Sequence, residues 1–229
     1  MTENDNAPGW ARQMALRFKR LWLTKLVGST VAMTVFMVGY FTLLRHAAFP
    51  VTLIPLTRID DLVPYQPWWI IPYASLWLYI SLVPNQLYTG RELFTYLKVV
   101  MAMAALGFAI FFFWPTAVPK AYFDWDLHPG IAFLKSIDAS GNACPSLHVA
   151  YAVFSCLGLH GLLGEMRAPR LLQVLNVLWC LAIAYSTLAT KQHVAIDLMA
   201  GALMGLVAGV LYLAQRRGTR LPLGTPAAD

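Results

Sequence analysis

Apolar runs of about 20 residues recur along the whole chain, and each is long enough to cross the roughly 30 Å hydrocarbon core of a bilayer. In lipid, every backbone N–H and C=O must be answered within the protein, so runs of this length fold as helices. The pattern predicts an all-α polytopic membrane protein rather than a soluble enzyme carrying an anchor. Composition agrees. Of 229 residues, 59% are hydrophobic and 12% charged, and the mean hydropathy is +0.58. A soluble domain carries about 25% charged residues. The net charge of +6 falls largely on the flanks of apolar runs, where it acts on topology and gives no sign of a nucleic-acid partner.

Six transmembrane helices are predicted, near residues 21–44, 68–84, 97–114, 146–164, 170–190 and 193–214. With the N-terminus inside, the cytoplasmic segments hold 12 of the 17 Lys and Arg residues, which places both termini in the cytoplasm. The organisation that follows is a cytoplasmic amphipathic segment over 1–20, a six-helix membrane domain over 21–215, and a disordered cytoplasmic tail over 216–229. One basic amphipathic helix is expected over Pro8 to Lys25, on the inner membrane surface. The first apolar run is longer than a signal-peptide core and is read as an uncleaved helix. Trp68, Trp69, Trp114 and Trp125 form an aromatic belt at the outer interface. Gly201, Gly205 and Gly209 make a stripe for close helix packing. The three cysteines fit neither a disulfide framework nor a zinc site and read as small buried apolar residues.

Two short motifs carry ionisable groups at the edges of these runs. One is Pro145-Ser146-Leu147-His148, and the other is Ser186-Thr187 followed by His193 and Asp197. Ionisable groups at membrane depth are costly and mark function. The predicted topology puts the starts of the fourth and sixth helices at one membrane face. Helix starts expose unpaired N–H groups and the positive end of the macrodipole, which suits a phosphate. Ser146 can cap its helix or donate to phosphate. His193 and Asp197, at i,i+4, share a helix face, so the carboxylate can hold one ring nitrogen and leave the other as a nucleophile. His148 is placed as general acid. Ser186 and Thr187 lie close to His193 through the short link, and Lys191 and Lys120 are candidates to offset phosphate charge. The residues alone leave open a packing histidine or a metal shared by His193 and Asp197. In favour of a joint catalytic site, Asp197 is the only acid within the predicted spans. His46, His128 and His160 receive no role.

On these motifs the chain resembles the phosphatidic acid phosphatase type 2 superfamily, six-helix membrane enzymes with the motifs K-x6-R-P, P-S-G-H and S-R-x5-H-x3-D. Leu147 stands where that family has glycine, and Thr187 where it has a phosphate-binding arginine. K-x6-R-P is missing; its nearest counterpart runs from Trp114 to Lys120. The P-S-L-H-x-A form and Asp60-Asp61-Leu62-Val63-Pro64 resemble the inositol phosphorylceramide synthase-like branch. The resemblance implies that His193 attacks phosphorus to form a phosphohistidine, Asp197 orients it, and His148 protonates the leaving group, with no metal or cofactor. The function expected is a lipid phosphate phosphatase. The alternatives are a phosphotransferase that passes a phospho-head group to a lipid or polyol hydroxyl, and a non-catalytic lipid transporter, against which stands the lack of a second intramembrane acid. The expected partners are a lipid phosphate substrate and membrane lipids. The site would face the exterior or periplasm from a plasma or bacterial inner membrane.

Overall fold

A computed structural model describes residues 8–119 and 142–217. The chain is mainly helical. A short amphipathic helix α1 (Trp10–Lys19) precedes α2 (Trp22–Arg45). The chain then passes through β1 (Thr52–Leu53), α3 (Arg58–Leu62) and a 3-10 turn (Pro67–Trp69) into α4 (Ile70–Asn85). After α5 (Gly90–Phe113) comes β2 (Thr116–Ala117), which pairs in parallel with β1. The last three helices are α6 (Leu147–Glu165), α7 (Arg170–Ala189) and α8 (Ala195–Arg217).

Among the described residues, five helices are long and apolar enough to cross a membrane: α2, α5, α6, α7 and α8. The sixth predicted span, α4, has 16 residues. At 1.5 Å per residue it extends only about 24 Å. It nevertheless packs inside the bundle, against α6 and α7. There Tyr79 Oη donates to Asn176 Oδ1 of α7 at 2.7 Å, and Asn176 Nδ2 donates to the Cys156 carbonyl of α6 at 3.0 Å. Polar groups this deep are kept by such partners.

The central helix is α6, which buries 12 of its 19 residues, whereas α2 at the edge buries only Lys25. The glycine stripe seats α8 parallel to α6. A Cβ on Gly201 would lie 2.2 Å from the Ser146 carbonyl oxygen, and one on Gly205 would lie 2.3 Å from that of Ala150. The two backbones therefore approach only because no side chain intervenes, as the stripe predicts.

The structure corrects two sequence expectations at the other end of the bundle. First, α5 begins at Gly90 rather than near 97, because Thr89 and Glu92 form a capping box. Thr89 Oγ1 accepts from Glu92 N at 3.2 Å, and Glu92 Oε2 accepts from Thr89 N at 3.1 Å and Tyr88 N at 2.8 Å. Asp197 is thus not the only helical acid: Glu92 and Glu165 lie within α5 and α6 and clasp Arg216 of α8, with Arg216 Nη2 3.0 Å from Glu92 Oε1 and 2.8 Å from Glu165 Oε2. Second, the basic N-terminal stretch is not one helix. It breaks at Leu21, whose φ is 53°, and α1 docks on the bundle. Arg17 donates to the Gln86 carbonyl at 3.1 Å and Arg20 to that of Tyr88 at 3.0 Å, while Trp10 and Met14 pack on the core. Lys25 Nζ donates to the Asn85 carbonyl at 3.0 Å. These cations thereby complement the carboxyl end of α4.

Candidate active site

The turn between α7 and α8 is five residues long, from Thr190 to Val194. Its shape is fixed by the Thr187 carbonyl, which accepts from both Gln192 N and His193 N at 3.1 Å. Asp197 then lies in the first turn of α8, fully buried, with one oxygen accepting from Val194 N at 2.9 Å and the other 2.9 Å from His193 Nδ1. A carboxylate in that position makes Nδ1 the protonated nitrogen and gives the lone pair to Nε2. The Asp197 backbone carbonyl accepts from Ser146 N at 3.0 Å, which stitches the start of α6 to α8. The two helix starts meet as the sequence predicts.

His148 occupies the first turn of α6. Its ring stacks on Tyr73 of α4, with centroids 4.1 Å apart and planes 14° apart, and its buried Nε2 has no hydrogen-bond partner among the described residues. His148 and His193 line one cavity of about 560 Å³. From the histidines it runs between α2, α4 and α5, past Tyr151, Ile80 and Val100, as far as Lys25. Its walls are mostly apolar side chains.

The phosphate-binding candidates lie elsewhere. Ser146 Oγ is used as the α6 cap, accepting from Val149 N at 3.3 Å. Ser186 Oγ and Thr187 Oγ1 turn back onto their own helix, donating to the carbonyls of Ile183 at 2.6 Å and Ala184 at 2.7 Å. Lys191 Nζ donates to the carbonyls of Asp60, at 3.1 Å, and Val63. Burial lowers the Lys191 pKa below its ordinary value, against the opposing pull of Asp60 and Asp61. None of these four side chains lines the cavity. Lys120 lies outside the described residues. The segment that leads to it is anchored beside the second motif, where Thr116 Oγ1 accepts from Cys144 N at 2.8 Å.

Three residues near the histidines received no site role from the sequence, although Asp60 opens the Asp60–Pro64 stretch noted there. Asp60 is fully buried and accepts from Ala195 N at 2.8 Å with Oδ1, while Oδ2 accepts from Thr57 N at 2.7 Å. A carboxylate of the chain itself thus takes the amino end of α8 that was expected to suit a phosphate. Tyr73 supports His148, and Asn142 joins the two histidines in the cavity wall. Among the described residues, no three His, Cys, Asp or Glu side chains converge on a point where a metal ion would sit.

The profile of the PAP2 superfamily matches residues 65–211, well over half of the chain. That stretch holds α4 to α7 and most of α8, both histidines and Asp197. No curated protein and no solved structure gives a significant match. Helices long enough to span a bilayer, two histidine motifs meeting at parallel helix starts, and a profile match over 65–211 make the conclusion plain: the chain belongs to the PAP2 superfamily, membrane enzymes that act on phosphate esters as phosphatases or phosphotransferases.

Proposed function

We propose that the protein is a lipid phosphate phosphatase that works through a phosphohistidine on His193. The carrying observation is the buried His193–Asp197 pair, 2.9 Å apart, whose histidine lines a cavity together with His148. In the first step, the Nε2 lone pair of His193 attacks phosphorus. The N–P bond forms as the P–O bond to the lipid alcohol breaks, and the departing oxygen takes a proton from His148. Asp197 accepts the Nδ1 hydrogen bond throughout and stabilises the cationic ring. In the second step, water gives a proton to His148 as its oxygen attacks phosphorus, the N–P bond breaks, and phosphate leaves. Both residues return to their starting state.

The apolar cavity beyond the histidines suits a hydrocarbon tail that enters from the bilayer, with the head group held at the helix starts. The lysine and arginine distribution supports an exterior or periplasmic position for that end of the bundle. The test is to incubate the purified full chain with a panel of lipid phosphates, with and without polyol or lipid alcohols, and to weigh the products. The expected result is inorganic phosphate and dephosphorylated lipid, lost in His193→Ala. A phospho-head group recovered on an added alcohol identifies a phosphotransferase of the inositol phosphorylceramide synthase-like type instead. Near-parental turnover by a folded His193→Ala protein removes the phosphohistidine mechanism.

A further inference from the structure

We propose that Asn142 is a substrate-binding residue whose side-chain amide donates to a non-bridging oxygen of the phosphoryl group. This rests on the reading of His193 and His148 as the reacting pair. Asn142 is 5% exposed, and its Nδ2 has no hydrogen-bond partner among the described residues. A buried amide donor left unanswered costs free energy, and in a native protein it calls for an explanation. Asn142 stands in the wall of the cavity that holds His193 and His148, and His148 Nε2 is the other unanswered buried nitrogen there. Two unanswered nitrogens on residues that line one cavity are satisfied together by a ligand that presents several acceptor oxygens. A phosphoryl group has that chemistry.

The backbone holds this amide in place. Asn142 has a φ of 54°, the left-handed region that asparagine tolerates far better than most side chains. The next two residues are pinned to β2, with Ala143 N donating to the Thr116 carbonyl at 3.2 Å and Cys144 N to Thr116 Oγ1 at 2.8 Å. The amide is thus carried by a fixed turn four residues before Ser146, the cap of α6. A neutral donor is a sensible device at this point. Thr187 stands in the position of a family arginine, and the Lys191 ammonium is taken up by carbonyls of the α3 segment.

Two variants separate the donor from the turn. Asn142→Gly keeps the left-handed backbone and removes the amide. Asn142→Asp keeps the shape and sets a carboxylate against the phosphoryl oxygens. The readout that does not depend on turnover is binding of orthovanadate, measured as its concentration-dependent rise in the melting temperature of the full chain in detergent. The parent should bind vanadate, with affinity falling roughly tenfold in Asn142→Gly and roughly a hundredfold in Asn142→Asp, while the unliganded melting temperatures stay close to the parent. The specificity constant kcat/KM for a lipid phosphate should fall in step. Parental vanadate affinity in a folded variant overturns the role of Asn142, and so does failure of the parent to bind vanadate. Parental affinity in both variants together with dead His193→Ala leaves the phosphatase reading standing and removes Asn142 from it. Vanadate binding lost in the variants of a parent that hydrolyses no phosphate ester does the opposite, keeping Asn142 as an oxyanion ligand and removing the phosphatase reading.

Discussion

Both ends of the bundle bury charged or ionisable groups, but they treat them differently. At the end where α8 finishes, Arg216 is held by Glu92 and Glu165, Glu92 also caps α5, and Lys25 and Arg17 satisfy carbonyls at the end of α4 and just beyond it. Among the described residues, no buried polar atom there that lacks a partner belongs to a residue lining the cavity. At the end where α6 and α8 begin, His148 Nε2 and Asn142 Nδ2 are unanswered and belong to residues that do line it. A buried ion cluster whose members answer one another is a clamp. Polar groups held in place but unanswered beside a cavity await a ligand. The difference separates stability from chemistry within a single bundle, and it can be broken by substitution.

The largest effect is expected at the histidine end. His193→Ala should lower phosphate release by about 10,000-fold or more and leave the melting temperature nearly unchanged. Arg216→Met should do the reverse. It strands Glu92 and Glu165, and breaking a buried pair on one side costs roughly 3–5 kcal/mol. The melting temperature should drop sharply, while the specific activity of the protein that remains folded stays near parental. If both substitutions affect activity and stability alike, the division between the two ends fails.

Asp197→Asn comes next. It keeps the shape of the side chain but no longer favours the Nδ1-protonated ring, and turnover should fall roughly 100- to 10,000-fold. Single-turnover kinetics on the folded variant checks this, with the loss expected in the chemical step. The smallest effect is expected from a chelator. Activity should persist in excess EDTA, because His193 pairs with Asp197 and the proposed mechanism asks for no ion. Loss in EDTA restored by a divalent cation would reassign the pair to metal binding.

What the sequence made legible was local. His193 and Asp197 are four residues apart, so helical geometry alone brings them together, and the glycine stripe likewise announced close packing of α8, though not that α6 is its partner. The start of α5 was also written in the chain, as a Thr-x-x-Glu capping box, but Arg91 and Glu92 obscured it to a search for apolar runs. That boundary error removed Glu92 from the helices, the predicted end at 164 removed Glu165, and Asp197 was left looking solitary. Other features depend on tertiary contact. The Asp60 cap on α8 joins residues 135 apart, and the Arg216–Glu92 bond joins residues 124 apart. Lys191 looked like a phosphate ligand beside His193, yet its residue takes a φ of 59° and its ammonium reaches the carbonyls of the α3 segment. Asn142 is an ordinary turn residue in sequence, and only the missing partner in a cavity wall sets it apart.

The central claim is a covalent bond between His193 and phosphorus, and trapping it is the most direct test. The full chain is mixed with a lipid phosphate labelled on phosphorus, quenched within a turnover, digested at alkaline pH where N–P bonds survive, and mapped by mass. The prediction is one phosphoryl group on His193, labile to acid and missing from His193→Ala. Steady phosphate release with no label on the protein, or label retained at another residue in His193→Ala, would contradict it.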